Sequence, residues 1–309
     1  MTKHGQKNKG NARGYGRVTL ETGLLLFAPF VTKSPIFMEE LRMQVVILCG
    51  GQGTRIRDVA DDIPKPMIPI GGKPIVWHIM KGYAQHGFTK FILCLGYKGW
   101  NLKRFFLDYH LAGADFTLRL KDPQRIELRT HDCNEDWEVT LVETGQDAMT
   151  GCRVARIEKY LEGDTFAVTY GDSLSDIDVA RELEFHRKHG RLGTVSAVRT
   201  PGRFGEMLLK GQQVQKFEEK PPFTSGRING GFFIFQREFC RRLSDDPTLI
   251  LEREPLTRLA KDSQLMAFPH NGFWFAMDSS RDYQVLNDMW KSGQAPWCTW
   301  GQSEVRKAA

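Results

Sequence analysis

No stretch of this 309-residue chain is apolar for long enough to cross a bilayer. The patch "LLLFAPFV", Leu24 to Val31, falls short of the roughly 20 residues a membrane span requires, and Pro29 interrupts it. A basic start precedes that patch, but no small-residue cleavage site follows, so it does not read as a signal peptide. Cysteine is sparse and scattered: Cys49, Cys94, Cys133, Cys152, Cys240 and Cys298 form no C-x-x-C pair and have no histidine at zinc spacing. That excludes a zinc ribbon and points to reduced, mostly buried thiols of a cytoplasmic protein. There is no internal repeat and no low-complexity linker. Excess charge is also missing from the body of the chain. Residues 1–42 carry seven Lys/Arg against three Asp/Glu, which places +4 of the formal +6 there and leaves the rest close to neutral. Neither a nucleic-acid partner nor a membrane surface is indicated.

What is present is an α/β pattern. "MQVVILC", residues 43–49, is a continuous apolar run bounded by glycines, the form of a strand buried on both faces. After Pro74, Ile75, Val76, Ile79, Met80, Tyr83 and Ala84 recur at helical spacing, with Gly87 as a stop. "KFILCLGY", 90–97, supplies a second buried strand, and an amphipathic segment follows at 101–109. Alternation predicts a hairpin between residues 115 and 131. "TFAVTYGDSLSD" is another buried run ending in Gly171-Asp172. "GTVSAV", "QVQKFEEKP", "NGGFFIF" and "GFWFAMD" read mostly as strands, with helices at 178–189, 236–243 and 280–291. The expected architecture is one α/β domain over 43–300 with a mixed sheet and a C-terminal appendage. Residues 1–42 read as a loosely ordered extension or a start placed too early, and 301–309 as a tail.

The stretch "LCGGQGTRIRDVADDIPKPMIPIGGKP", Leu48 to Pro74, leaves the first strand at the carboxyl edge, where ligands of open α/β sheets sit. Gly50, Gly51 and Gly53 let backbone N–H groups approach a polyphosphate, and Arg55 and Lys65 can neutralise its charge. The spelling is not a Walker loop, and Ile56 stands where a dinucleotide fingerprint needs its third glycine. Prolines on both sides of Lys65 fix the local backbone and give its ammonium a defined direction.

A G-G-x-G-T-R loop followed by K-P-M resembles the signature of the sugar-1-phosphate nucleotidyltransferases. The likeness continues through "GGKPIVWHIMK", "GYKG", "LVETGQDAMTGCRV", "TYGDSLSDID", "PGRFGEM", "EEKP", "INGGFFIF", "EREPL" and "GQAPWCTW". Their order, from Met43 to about Trp300, looks like the glucose-1-phosphate cytidylyltransferase branch. The resemblance implies a Rossmann-like nucleotide-binding core with a mixed, mainly parallel sheet of the nucleotide-diphospho-sugar transferase type, in a homo-oligomer. It implies transfer of a cytidylyl group from CTP to α-D-glucose 1-phosphate with Mg²⁺, giving CDP-glucose for surface polysaccharide synthesis.

Residue by residue, the resemblance gives Arg55 and Lys65 as the phosphate-binding, catalytic cations. Leu48, Gly50, Gly51, Gln52, Gly53 and Thr54 match the nucleotide loop, and Met149, Thr150, Gly151 and Arg153 a later nucleotide segment. Gly171 falls at the junction of nucleotide and sugar, Asp172 and Asp278 match the metal carboxylates, and Glu219, Lys220, Asn229 and Gly230 the sugar-phosphate segments. The chemistry is consistent, because Mg²⁺ takes one or two carboxylates plus phosphate oxygens and water. Asp172 and Asp278 each follow an apolar run, although either also fits a turn or helix cap. His78, Trp274 and Phe275 read as packing residues. Two alternatives stay open: UTP or GTP with another sugar 1-phosphate, suggested by Ile63 where that branch tends to carry lysine, and a silent sugar-nucleotide-binding subunit. Intact Gly51, Arg55, Lys65, Asp172 and Asp278 argue against silence.

Overall fold

The computed structural model describes residues 43–51, 62–130, 135–200, 205–219 and 226–301. In chain order the elements begin with β1 (Gln44–Leu48), a 3-10 turn (Lys65–Met67), β2 (Pro69–Ile70), β3 (Lys73–Pro74), α1 (Ile75–Ala84), β4 (Lys90–Leu95), α2 (Gly99–Leu107) and α3 (Tyr109–Ala112). Next come β5 (Phe116–Arg119), β6 (Asp122–Leu128), β7 (Glu138–Glu143), α4 (Thr150–Arg156), β8 (Thr165–Tyr170), β9 (Ser173–Ser175), α5 (Val179–His189) and β10 (Gly193–Val198). The chain continues through β11 (Glu206–Lys210), β12 (Gln213–Glu218), β13 (Ile228–Gln236), α6 (Glu254–Lys261), β14 (Leu265–Pro269), β15 (Trp274–Ala276) and α7 (Ser280–Lys291).

Seven strands form one sheet in the order β14-β10-β13-β8-β1-β4-β7. β1 lies at its centre, parallel to β4 and β8. β13 alone runs against its neighbours, pairing antiparallel with both β10 and β8. The sheet is therefore mixed and mainly parallel, as the alternation of strands and helices leads one to expect.

Alternation along β1 divides the core in two. Val45 and Ile47 point into the cluster under α1, α5 and α7, whereas Val46 and Leu48 point into the one that α6 closes. All four are buried, and each such side chain contributes about 1.5–3 kcal/mol. Ile63 is partly buried against the first cluster, so its side chain serves as an apolar anchor. His78 packs as expected. Its Nε2 lies 2.8 Å from the Ile70 carbonyl, the Trp297 indole donates to its Nδ1 at 3.3 Å, and burial lowers its pKa to about 4.

Two expectations change. Residues 236–243 form no α-helix: Arg237–Arg242 is a 3-10 segment. The Arg237 N–H donates to the Asp164 carbonyl at 2.6 Å and its guanidinium to the Leu161 carbonyl at 2.8 Å, which ties the start of the segment to the residues before β8, and the Leu243 N–H closes its end on the Cys240 carbonyl, an i to i+3 bond. In "GFWFAMD" only Trp274–Ala276 is strand, and it pairs with β9 outside the main sheet. Five cysteines among the described residues are free, four of them buried. No described helix is long and apolar enough to cross a membrane.

The Ser196 hydroxyl donates to the buried Glu182 carboxyl at 2.7 Å, where α5 meets β10. Burial pushes the pKa of Glu182 from 4.5 to about 7, against the opposing pull of Ser196 and His270. The folded state thus keeps a proton that the unfolded chain releases. The stability this contributes is present below pH 4.5 and lost as pH rises through 7. His78 and His186 oppose it, because burial lowers both to about 4 and their contribution is lost as pH falls. Comparing Glu182→Gln with wild type cancels the histidines. In urea unfolding from pH 4.5 to 7.5 the variant should gain on wild type by about 3 kcal/mol. A difference that does not change with pH would show that Glu182 is not protonated in the folded state.

Candidate active site

The segment that carries Lys65 is a single 3-10 turn. Pro64 precedes it in extended conformation, Pro66 lies buried inside it, and the Met67 N–H donates to the Pro64 carbonyl at 2.8 Å. The two rings limit the backbone to this course. Gly171, at the end of β8, lets the turn come close: a Cβ there would fall 3.0 Å from Pro66 Cγ and 3.0 Å from the Leu48 carbonyl oxygen. That oxygen accepts the Gly171 N–H at 3.1 Å, which locks the ends of β1 and β8 together.

The same end of β8 delivers Asp172. β15 pairs antiparallel with β9, Ala276 opposite Ser173, and the Met277 N–H donates to the Asp172 carbonyl at 3.0 Å. Asp278 is therefore set beside Asp172 although 106 positions separate them in the chain. Asp278 is not the cap of α7. Ser279 is, in a capping box with Asp282, whose carboxylate also accepts the Asp278 N–H at 3.0 Å.

The Lys65 ammonium sits between the two carboxylates. Its Nζ donates to Asp172 Oδ2 at 2.6 Å and to Asp278 Oδ1 at 2.7 Å. The lysine side chain is only 13% exposed, against 28% for Asp172 and 43% for Asp278. Burial works against its charge, but Asp172 first and Asp278 second outweigh burial and hold its pKa above the ordinary lysine value. The aspartates are oxygen donors converging on one positive charge. Among the described residues no group of three or more His, Cys, Asp or Glu gathers at one point. Two carboxylates without nitrogen or sulfur partners fit Mg²⁺, which takes one or two carboxylates and completes its shell with phosphate oxygens and water, better than zinc or calcium.

The glycine-rich loop after β1 is described only as far as Gly51. Gln52, Gly53, Thr54 and Arg55 lie outside the described residues. Gly51 is exposed, whereas Gly50 is buried. A Cβ on Gly50 would meet the Arg153 guanidinium at 2.1 Å. Arg153 is itself buried, and its guanidinium donates to the carbonyls of Leu95 at 2.8 Å, Gly50 at 3.1 Å and Gln146 at 3.3 Å, and to Thr144 Oγ1 at 2.7 Å. In this arrangement Arg153 braces the loop from beneath. Met149 and Thr150 open α4 on the same side of β1. The Met149 N–H is held by the Pro247 carbonyl at 2.8 Å and the Gly151 N–H by the Leu249 carbonyl at 2.9 Å.

On the far side, Asn229 and Gly230 stand in the first half of β13. Asn229 Oδ1 accepts the Gly231 N–H at 2.8 Å, and its Nδ2 donates to the Tyr170 hydroxyl at 3.3 Å. The Trp274 indole donates to the Gly230 carbonyl at 2.6 Å. Trp274 is thus partly buried packing, as expected, but it also fixes a site backbone. Glu219 is exposed at the end of β12, and Lys220 lies outside the described residues. Sequence reasoning did not single out Tyr170 or Glu252, though each sits inside a quoted motif, "TYGD" and "EREPL".

The fold, with paired carboxylates and a lysine at the carboxyl edge of a mainly parallel sheet, is that of a nucleotide-handling α/β enzyme. A family model described as nucleotidyl transferase matches residues 44–275, and the chain belongs to that family. It is 45% identical over 259 residues to the glucose-1-phosphate cytidylyltransferase of Salmonella typhimurium, covering 84% of this chain and 100% of that protein. To the mannose-1-phosphate guanylyltransferase catalytic subunit beta of Danio rerio the identity is 29% over 248 residues, 78% of this chain and 62% of that one. Among solved structures, HddC from Yersinia pseudotuberculosis superposes with a TM-score of 0.58 at 24% identity, covering 80% of this chain and 98% of that one. That likeness speaks to the fold alone.

Proposed function

We propose that this enzyme transfers a cytidylyl group from CTP to α-D-glucose 1-phosphate, releasing pyrophosphate and forming CDP-glucose. The observation that carries the reaction class is the Lys65 ammonium held between Asp172 and Asp278 at the carboxyl edge of the sheet. The choice of CTP and glucose 1-phosphate is supported by 45% identity to a cytidylyltransferase over that protein's whole length, against 29% to a guanylyltransferase.

A phosphate oxygen of the sugar 1-phosphate attacks the α-phosphorus of CTP, and the bond from that phosphorus to the bridging oxygen breaks as pyrophosphate leaves. No covalent enzyme intermediate is required, so positioning and charge do the work. Asp172 and Asp278 would hold Mg²⁺, which supplies positive charge to the phosphate oxygens. Lys65 and Arg55 would supply positive charge to the departing pyrophosphate. Gly50 and Gly51 admit the nucleotide, with Arg153 fixing the loop and Met149, Thr150 and Gly151 forming the adjoining wall. Asn229, Gly230, Glu219 and Lys220 receive the sugar phosphate.

The test is a pyrophosphate-release screen of four NTPs crossed with glucose, mannose and heptose 1-phosphates in Mg²⁺. The expected outcome is a clear maximum for CTP with glucose 1-phosphate. A preference for UTP or GTP would overturn the cytidylyl assignment, and no turnover with any pair would overturn the enzyme reading.

A further inference from the structure

A chain of hydrogen bonds connects the two halves of the site through a residue to which no role has yet been given. Glu252 precedes α6 and is partly buried. Its Oε2 accepts the Thr150 hydroxyl at 2.7 Å, and its Oε1 accepts the Tyr170 hydroxyl. The Tyr170 oxygen in turn accepts Asn229 Nδ2 at 3.3 Å. Thr150 opens the nucleotide wall, and Asn229 belongs to the sugar-phosphate segment. Tyr170 lies between them, immediately before Gly171-Asp172.

Both ends of this chain are held to backbone. The Leu251 N–H donates to Thr150 Oγ1 at 2.9 Å, and the neighbouring N–H groups of Met149 and Gly151 donate to the carbonyls of Pro247 and Leu249. The start of α4 is therefore tied by backbone bonds to the segment that carries Glu252. At the other end Asn229 Oδ1 accepts the Gly231 N–H at 2.8 Å, and the Tyr170 ring covers Gly231, where a Cβ would lie 2.2 Å from Cδ2 and φ is +74°, a conformation that glycine adopts without strain.

We propose that Glu252 is a positioning residue that couples the two substrates, so that nucleotide held at Thr150 orders Asn229 for the sugar phosphate through Tyr170. The inference rests on the site reading above. A carboxylate that bridges two hydroxyls fixes both donors at once, and linked bonds of this kind act as a unit. Binding at one end then costs less ordering at the other, and the coupling is reciprocal.

The experiment is calorimetric titration of the full chain in Mg²⁺ with α,β-methylene CTP, a non-reacting analogue, and with glucose 1-phosphate. In wild type, saturating analogue should tighten glucose 1-phosphate by about tenfold, and the sugar phosphate should tighten the analogue equally. In Tyr170→Phe, which keeps the ring over Gly231, that factor should fall to about twofold or less while each ligand alone binds nearly as in wild type. Glu252→Gln, which can still accept one of the two hydroxyls, should fall between. Such a split between single-ligand affinity and coupling would not come from general loosening. Wild-type coupling retained in both variants would overturn the proposal, as would two ligands that bind wild type independently. If wild type bound neither ligand, the functional reading itself would fall, and that would be visible before any variant was compared.

Discussion

Lys65→Ala should lower turnover of CTP and glucose 1-phosphate by about 100-fold or more, the effect of losing one preorganised donor to a developing charge, about 3 kcal/mol. The geometry makes the loss specific. Lys65 is the cation that the 3-10 turn, two prolines and the close approach at Gly171 direct at Asp172 and Asp278. A lysine that served only solubility would not be 13% exposed and held above its ordinary pKa by two carboxylates. The same substitution leaves the carboxylates facing one another without their counter-charge. The variant should therefore melt lower than wild type in the absence of metal, and millimolar Mg²⁺ should restore more of that loss than it adds to wild type. Turnover and the metal-dependent melting shift are read on one protein preparation. Wild-type turnover in the variant would refute the role given to Lys65, and an unchanged response to Mg²⁺ would refute the shared cation position.

The second large effect is expected at Asp172. Asp172→Asn keeps the side chain's size and its place after Gly171 but removes half of the charge that faces Lys65. Turnover should fall by about 100-fold or more, and binding of Mn²⁺, followed by electron paramagnetic resonance without nucleotide, should weaken by about tenfold. Asp278→Asn should do the same to a smaller degree. Asp278 is 43% exposed against 28% for Asp172, so water replaces more of what it supplies. Equal loss at both positions would mean that burial does not set their ranking. Unchanged Mn²⁺ binding in both variants would mean that the pair is not the metal site.

Local features of this site were legible in the sequence, and distant juxtapositions were not. The central strand, the helix after Pro74, the helix over 280–291 and the meaning of the prolines around Lys65 all follow from neighbours within a turn or two. Apolar runs, caps and rings declare themselves at that range. The approach of Asp278 to Asp172 depends on the pairing of β15 with β9, two three-residue strands outside the main sheet, and no periodicity announces it. Arg153 matched a nucleotide-binding segment by its motif. Only the packing shows it spent on the carbonyls of Leu95, Gly50 and Gln146. Tyr170 and Glu252 escaped notice for a similar reason: each is one half of a bond between segments 82 residues apart. The expected α-helix at 236–243 is instead a 3-10 segment closed by an i to i+3 bond from the Leu243 N–H to the Cys240 carbonyl, a choice of partner that apolar spacing over so short a stretch does not distinguish. Ile63, read in the sequence beside the signature lysine, packs against the core.

The most direct measurement of the central claim is a phosphorus NMR time course of the wild-type enzyme with CTP, α-D-glucose 1-phosphate and Mg²⁺. The expected result is the loss of both substrates in equal amounts as pyrophosphate and the paired resonances of CDP-glucose grow together, with none of this after the metal is chelated. Intact CTP throughout, or inorganic phosphate in place of pyrophosphate, would contradict it.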